Sequence, residues 1–146
     1  MTHPFPPAVL AVSIALGFML GKIFPIGTIP DAFSFLGWLI AGTGAVFFLG
    51  GYFGLISHRT PVEPKATPSF LVTSGFFKVT RNPFYLGYLL IAFGAAVYFG
   101  NLLSFAAPVL FFTVVNLIVI PYEEKKLRSI FSETYETYAR NVRRWM

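Results

Sequence analysis

Long apolar runs alternate with short polar breaks along this chain, and the runs have the length that crosses a bilayer. The first extends from about Ala8 to Phe24, with Lys22 near its end and the turn formers Pro25 and Gly27 behind it. The second covers about Ala32 to Ile56 and is dense in small residues: Gly37, Ala41, Gly42, Gly44, Ala45, Gly50, Gly51 and Gly54. In lipid, apolar side chains gain nothing by leaving the solvent, and small residues instead let helix backbones approach closely. A third run starts near Phe84 and ends near Phe99, Gly100-Asn101 supplies a short turn, and a fourth run covers about Leu103 to Ile120. A helical crossing takes roughly 20 apolar residues, so the pattern predicts four spans. The last two are joined by so few residues that they must be antiparallel, which returns Tyr85 and Glu123 to the same membrane face.

The polar segments have their own logic. Residues 57–83 form the one substantial connection, and prolines at 61, 64 and 68 argue against a continuous helix there. In the tail from Pro121 to Met146, apolar residues stand at Leu127, Ile130, Phe131, Tyr135, Tyr138, Val142 and Trp145. Gaps of mostly three and four put them on one helical face, with basic residues over much of the rest, as in an interfacial amphipathic helix. Ser132-Glu133 is placed to restart that helix after Phe131. The predicted fold is all-α and polytopic, with about four transmembrane helices and a C-terminal amphipathic interfacial helix. One domain spans 1–146: two N-terminal spans over 1–56, a loop over 57–83, a helical hairpin over 84–120 and a tail helix over 121–146. The first run is expected to be a retained span, because Met1-Thr2-His3-Pro4 carries no basic n-region and no clear small-residue cleavage site follows.

Composition agrees with this picture. Of 146 residues, 55% are hydrophobic and 12% charged, about half the charge of an ordinary soluble domain. There is no cysteine, which excludes disulfides, thiolate metal sites and cysteine nucleophiles. Two histidines, His3 and His58, cannot build a multi-histidine site, and no metal is expected. The net charge of +5 is uneven: positions 84–120 hold no Lys, Arg, Asp or Glu, whereas the tail holds Lys125, Lys126, Arg128, Arg140, Arg143 and Arg144. Beside so much apolar sequence, such a cluster is read as anchoring against anionic lipid on the cytoplasmic side rather than as nucleic-acid binding. Four spans with the 57–83 loop and the tail on that side leave both termini cytoplasmic.

Chemistry concentrates at the two ends of the hairpin. Pro83 disfavours helix at Asn82 and suits a first helical turn, so Arg81 and Asn82 project from the mouth of span three. Taken singly they read as a lipid anchor and a helix cap. Glu123 and Glu124 follow Pro121, where acids complement a helix dipole. Two adjacent carboxylates at a membrane boundary, in a chain with six acids, also suit ribose hydroxyls or an ammonium group.

Together, Arg81-Asn82-Pro83-Phe84-Tyr85-Leu86-Gly87, the apolar spacer and Glu123-Glu124 resemble the cofactor motif of the isoprenylcysteine carboxyl methyltransferase and phospholipid methyltransferase group. That pattern reads Arg-His-Pro-x-Tyr-x-Gly, a hydrophobic hairpin, then Glu-Glu. Leu71-Val72-Thr73-Ser74-Gly75 resembles the stretch before it, and Phe131, Tyr135, Tyr138 and Val142 resemble the closing helix, so the likeness covers about 57–146. It implies S-adenosylmethionine at the cytoplasmic end of spans three and four, and a lipophilic acceptor arriving from the bilayer of, by implication, a bacterial inner membrane. By position, Ser69, Phe70, Leu71, Val72, Phe77, Arg81, Asn82, Pro83, Phe84, Tyr85 and Gly87 would hold the cofactor. Glu123 and Glu124 would close the site, and either is the candidate base for an acceptor that sheds a proton.

Two departures bear on the acceptor. Asn82 replaces the histidine of the pattern and cannot shuttle a proton near neutral pH. Val114 to Tyr122 lacks the arginine that precedes the Glu pair in the isoprenylcysteine enzymes, so a carboxylate acceptor loses its partner and an amine or other small lipid-borne nucleophile is favoured. Gly42-Thr43-Gly44 resembles a second cofactor motif of the phospholipid enzymes, although glycines inside a span more often serve packing. Gly50-x-x-x-Gly54 reads as helix packing, within the chain or in a dimer. Two alternatives stand beside this reading. Membrane sterol-type reductases using NADPH share an Arg-x-Pro-x-Tyr-x-Gly segment, but an acid follows its glycine where Tyr88 stands here. A non-catalytic four-helix protein or small transporter would need a charge within a span for coupling, and only Lys22 is available, near an end.

Overall fold

The computed structural model describes residues 5–61 and 66–146; His3, Pro64 and Lys65 fall outside them. The protein is an all-α polytopic membrane protein. Helix α1 runs Pro6–Ile23, α2 Ser34–Ser57, α3 Pro83–Phe99, α4 Ala106–Val114 and α5 Ile120–Asn141. Three stretches among the described residues are long and apolar enough to cross a membrane: Pro6–Ile23, Asp31–Ser57 and Leu102–Asn141. The 17 residues of α3 form a shorter fourth, wedged between α2 on one side and α1 and α4 on the other.

Glycine spacing explains why α2 and α3 pack closely. Gly37, Gly44 and Gly51 are the buried residues of α2, seven apart, which returns each to the same face after two turns. Gly87 and Gly94, also seven apart, face them from α3. A Cβ added at Gly44 would lie 2.6 Å from the Gly87 carbonyl oxygen, and one at Gly37 would lie 2.6 Å from that of Gly94. The next step of the seam sets Gly51 against Pro83 and Phe84, so the same contact that joins the helices fixes where α3 begins. Gly44 of the Gly-x-Gly segment belongs to this seam, whereas Gly42 has open space around it. Gly50 and Gly54 lie under the rings of Phe76 and Phe77. This pair therefore receives the loop from within the chain.

At the far end, the α1–α2 and α3–α4 connections are stitched together. The Ile29 N–H donates to Gly100 O at 2.7 Å and the Leu102 N–H to Gly27 O at 3.1 Å. Gly100 ends α3 in a left-handed conformation, φ 66°, which favours glycine. Asn101 then caps the short 3₁₀ turn Leu102–Phe105, its Oδ1 accepting from the Leu103 N–H at 2.8 Å.

Beyond α4 the helix does not stop. A π turn, Val115–Val119, joins it to α5 with helical backbone at both junctions. From Ala106 to Phe131, at about 1.5 Å per residue, this rod is about 39 Å long, whereas a hydrocarbon core is about 30 Å. Glu123 and Glu124 stand about 26 and 27 Å along the rod, just past the apolar run that ends at Ile120. Ser132 then breaks the helix at φ 43°, ψ −119°, where the restart was expected. The tail departs from expectation at its end. Helix α5 stops at Asn141 and Val142 is extended, so Val142 and Trp145 lie beyond the helix whose face they were expected to share. Residues 142–146 fold back instead, because their backbone carbonyls and the Arg144 and Trp145 side chains find partners at the mouth of α3 and on the π turn.

Gly44→Ala is expected to lower the melting temperature of the detergent-purified protein, as overpacking costs about 1–3 kcal/mol. Gly42→Ala, free of any neighbour within 4 Å, should leave it unchanged or raise it slightly. Equal melting of the two variants would contradict the seam.

Candidate functional site

Four segments converge where α1 and α3 begin, α2 ends and the fourth span leaves the apolar layer. They enclose a cavity of about 480 Å³, within the ~300–1,000 Å³ usual for small-molecule sites. Phe70, Leu71, Val72, Phe77, Arg81, Asn82, Pro83, Phe84, Tyr85, Glu123 and Glu124, all singled out from the sequence, border it. Ser69 and Gly87 do not. The Ser69 hydroxyl donates to Arg59 O at 3.2 Å, and Gly87 belongs to the glycine seam.

The loop wall is anchored at several points. His58 stacks on Phe70 with ring centres 5.2 Å apart, and the 3₁₀ turn Gly75–Lys78 buries Phe77. The Tyr138 hydroxyl donates to Phe77 O at 2.7 Å, and Lys126 Nζ donates to Ala66 O at 2.7 Å. Tyr135 and Tyr138 pack with Val72 and Phe77 into one buried cluster. Burial raises the pKa of both hydroxyls, with Glu124 adding to the shift at Tyr135 and Arg81 opposing it at both.

The two adjacent carboxylates are used differently. The Tyr85 hydroxyl donates to Glu123 Oε1 at 2.6 Å. Glu123 lies beyond the last apolar residue of its span, and burial raises its pKa above the ordinary carboxylate value, against the lowering effects of the Tyr85 hydrogen bond and Lys126. Its proton is therefore held more tightly in the folded chain than in the unfolded one. The stability this contributes is present below the unfolded pKa and lost as pH rises through the raised folded value.

Glu124 is 5% exposed, and both its oxygens are engaged. Arg144 grips it with two bonds, Nε to Oε1 at 3.1 Å and Nη2 to Oε2 at 2.8 Å. Arg81 Nη1 lies 3.2 Å from Oε1 and also donates to the Tyr135 hydroxyl at 3.2 Å. Arg128 stands at 3.9 Å from Oε2 and makes a shorter bond, 2.7 Å, to Glu136. Asn82 occupies the N-cap position of α3 without capping it; its Nδ2 donates to Arg144 O at 2.9 Å.

Sequence reasoning missed several of these parts. Arg144 was expected against lipid and instead holds Glu124. Asn116, on the π turn, accepts from Arg144 Nη1 at 3.3 Å and from Trp145 Nε1 at 3.1 Å. Phe5, Pro6 and Pro7 of the first span, and Phe48, Tyr52 and Tyr88, also border the cavity and give it an apolar lobe. A polar Asn116 inside a span was the one local signal available.

Residues 32–134 match the family model for phospholipid methyltransferases. The chain belongs to that family. It is 32% identical over 111 residues to a methanethiol S-methyltransferase of Crocosphaera subtropica, covering 73% of this chain and 42% of that protein. To methanethiol S-methyltransferase 1 of Bradyrhizobium diazoefficiens it is 31% identical over 113 residues, 75% of this chain and 38% of the other. A probable protein-S-isoprenylcysteine O-methyltransferase of Oryza sativa subsp. japonica shares 40% over 72 residues, 49% of this chain and 38% of the other. The chain thus spans about two fifths of the length of these curated relatives. Neither the reductase nor the transporter alternative draws support from these matches.

Removing the hydroxyl at position 85 tests the Glu123 assignment. Tyr85→Phe deletes a hydrogen bond to the charged carboxylate, so the Glu123 pKa should rise further. Infrared titration of the carboxyl band, identified with Glu123→Gln, should show its midpoint at higher pH in Tyr85→Phe. An unchanged or lower midpoint would contradict the assignment.

Proposed function

We propose that the protein is a methyltransferase using S-adenosylmethionine as methyl donor and a lipophilic acceptor that enters from the bilayer. The observation carrying this reading is a cavity with opposite charges on its walls and aromatic and apolar surface between them. On one wall Arg81 is largely buried, and its Nε has no hydrogen-bond partner among the described residues. On the other stands Glu123, aligned by Tyr85. A zwitterionic amino-acid group between nucleoside and apolar surfaces fits that set. The Arg81 guanidinium receives a carboxylate, Glu123 receives an ammonium or ribose hydroxyls, and Phe77 and Phe84 supply faces for a base.

When bound, the cofactor supplies an electrophilic methyl group on a sulfonium; the chain's own residues position the partners and exclude water. The lobe formed by Phe5, Pro6, Pro7, Phe48, Tyr52 and Tyr88 suits an apolar acceptor held beside Tyr85. An acceptor heteroatom that carries a proton, as an amine or thiol does, would release it to the Glu123 carboxylate as it takes the methyl group and the sulfonium leaves as a neutral thioether. Glu124 has a different task here, since its oxygens are committed to Arg81 and Arg144. The basic residues of the loop and tail support a cytoplasmic site with both termini on that side, and the bacterial relatives support an inner-membrane location.

Isothermal calorimetry in detergent should show S-adenosylhomocysteine binding to the wild type, weakened about tenfold or more by Glu123→Ala, the scale of a lost charged hydrogen bond. Affinity should fall as pH drops through the raised Glu123 pKa, because the protonated acid no longer offers its charge. Labelled methyl groups from S-adenosylmethionine should pass into a lipid extract. A wild type without affinity for S-adenosylhomocysteine would overturn the proposal.

A further inference from the structure

Residues 143–145 touch both walls of the cavity, yet they lie outside the family match of residues 32–134. Their contacts are made mainly by backbone on one side and by side chains on the other. The Arg81 N–H donates to Arg143 O at 3.0 Å. Arg144 O accepts from Thr80 Oγ1 at 3.0 Å and from Asn82 Nδ2 at 2.9 Å. Three consecutive loop residues immediately before α3, Thr80, Arg81 and Asn82, are therefore fastened to one short segment after α5. From that segment the Arg144 guanidinium reaches α5, gripping Glu124 in a fork, and touches Asn116 on the π turn.

Glu124 is the shared element. One of its oxygens faces both Arg144 Nε and Arg81 Nη1, at 3.1 and 3.2 Å. A single carboxylate between two guanidiniums holds Arg81 by one nitrogen and leaves charge to spare, and Arg81 Nε stays without a partner among the described residues. Were Arg144 absent, Glu124 would be left partly unpaired in a buried place, where an uncompensated charge is costly. Two arginines remain to relieve it: Arg128, 3.9 Å from Oε2 and held at 2.7 Å by Glu136, and Arg81, already 3.2 Å from Oε1 and lacking a second carboxylate. A fuller pairing with Arg81 would turn that guanidinium towards Glu124 and away from the cavity.

We propose that Arg144 is a positioning residue: by saturating Glu124 and tethering Thr80 to Asn82, it keeps Arg81 free to receive the carboxylate of an amino-acid-bearing nucleoside. This rests on the proposed cofactor reading. It assigns recognition of the carboxylate to a relay, Arg144 to Glu124 to Arg81, rather than to Arg81 alone. The nucleoside part of the ligand makes no use of that relay.

The two halves of the ligand separate the claim from general loss of structure. S-adenosylhomocysteine carries the carboxylate; methylthioadenosine has the same nucleoside and thioether but no amino-acid group. Calorimetry on the full chain in detergent should show Arg144→Ala losing about tenfold or more in affinity for S-adenosylhomocysteine, with methylthioadenosine binding as in the wild type. Arg144→Lys keeps the charge without the two-pronged grip, and should fall between wild type and Arg144→Ala for S-adenosylhomocysteine alone. If Arg144→Ala weakens both ligands equally, or neither, the residue does not position Arg81 and the proposal is overturned while the cofactor reading stands. If the wild type binds neither ligand, the cofactor reading itself falls and takes this one with it.

Discussion

A buried carboxylate that must be neutralised organises this end of the molecule. Glu124 lies at the edge of the apolar layer with 5% exposure, and removing one partner from a buried ion pair typically costs about 3–5 kcal/mol. Its partners come from three places in the sequence: Arg81 before α3, Arg128 one turn along α5, and Arg144 beyond it. Satisfying one side chain therefore brings the loop, the exit of the fourth span and the segment after α5 together. The cavity is what remains between them, and its walls inherit their charges from this arrangement.

The membrane imposes the second constraint. Lipid provides no hydrophobic force to hold helices together, so the α2–α3 contact relies on backbones meeting at glycine. That seam ends with Gly51 against Pro83 and Phe84, at the position where α3 starts and Tyr85 enters the cavity. Cavity geometry and helix packing are thus set by the same residues. The loop is seated the same way, with Phe76 over Gly50 and Phe77 over Gly54.

Much of this was legible in the chain. Apolar run lengths marked the spans, the brevity of Gly100-Asn101 made Tyr85 and Glu123 neighbours, and the 2.6 Å bond between them is the closest form that neighbourhood can take. What escaped was long-range and electrostatic. Arg144 is one of six basic residues in the tail, and nothing local distinguishes an arginine that meets lipid from one that meets a buried acid. Periodicity also misled at Trp145, because a helical pattern can continue past the helix when a residue finds another buried surface. Val142, though past the helix end, still packs with Tyr135 and Tyr138. Trp145 found Asn116 and Phe112. The first span's part in the cavity was equally silent, since Phe5, Pro6 and Pro7 carry no chemistry that sequence alone would mark.

The division of labour between Glu123 and Glu124 follows from helix geometry. Neighbours on an α-helix point about 100° apart, so two adjacent acids cannot both face one partner. Which of them meets Tyr85 depends on the register with which α5 leaves the membrane, and that register is set by the π turn Val115–Val119. A π turn adds a residue relative to regular α-helix, and such bulges recur at functional sites. Relaxing it to α-geometry would rotate everything beyond by about 100°. Glu123 would leave Tyr85 and Glu124 would leave Arg81, while Asn116, on the turn itself, would shift against Arg144 and Trp145. The wide turn is thus the point at which an apolar span, free to adopt any register in lipid, is committed to the one register that serves the cavity.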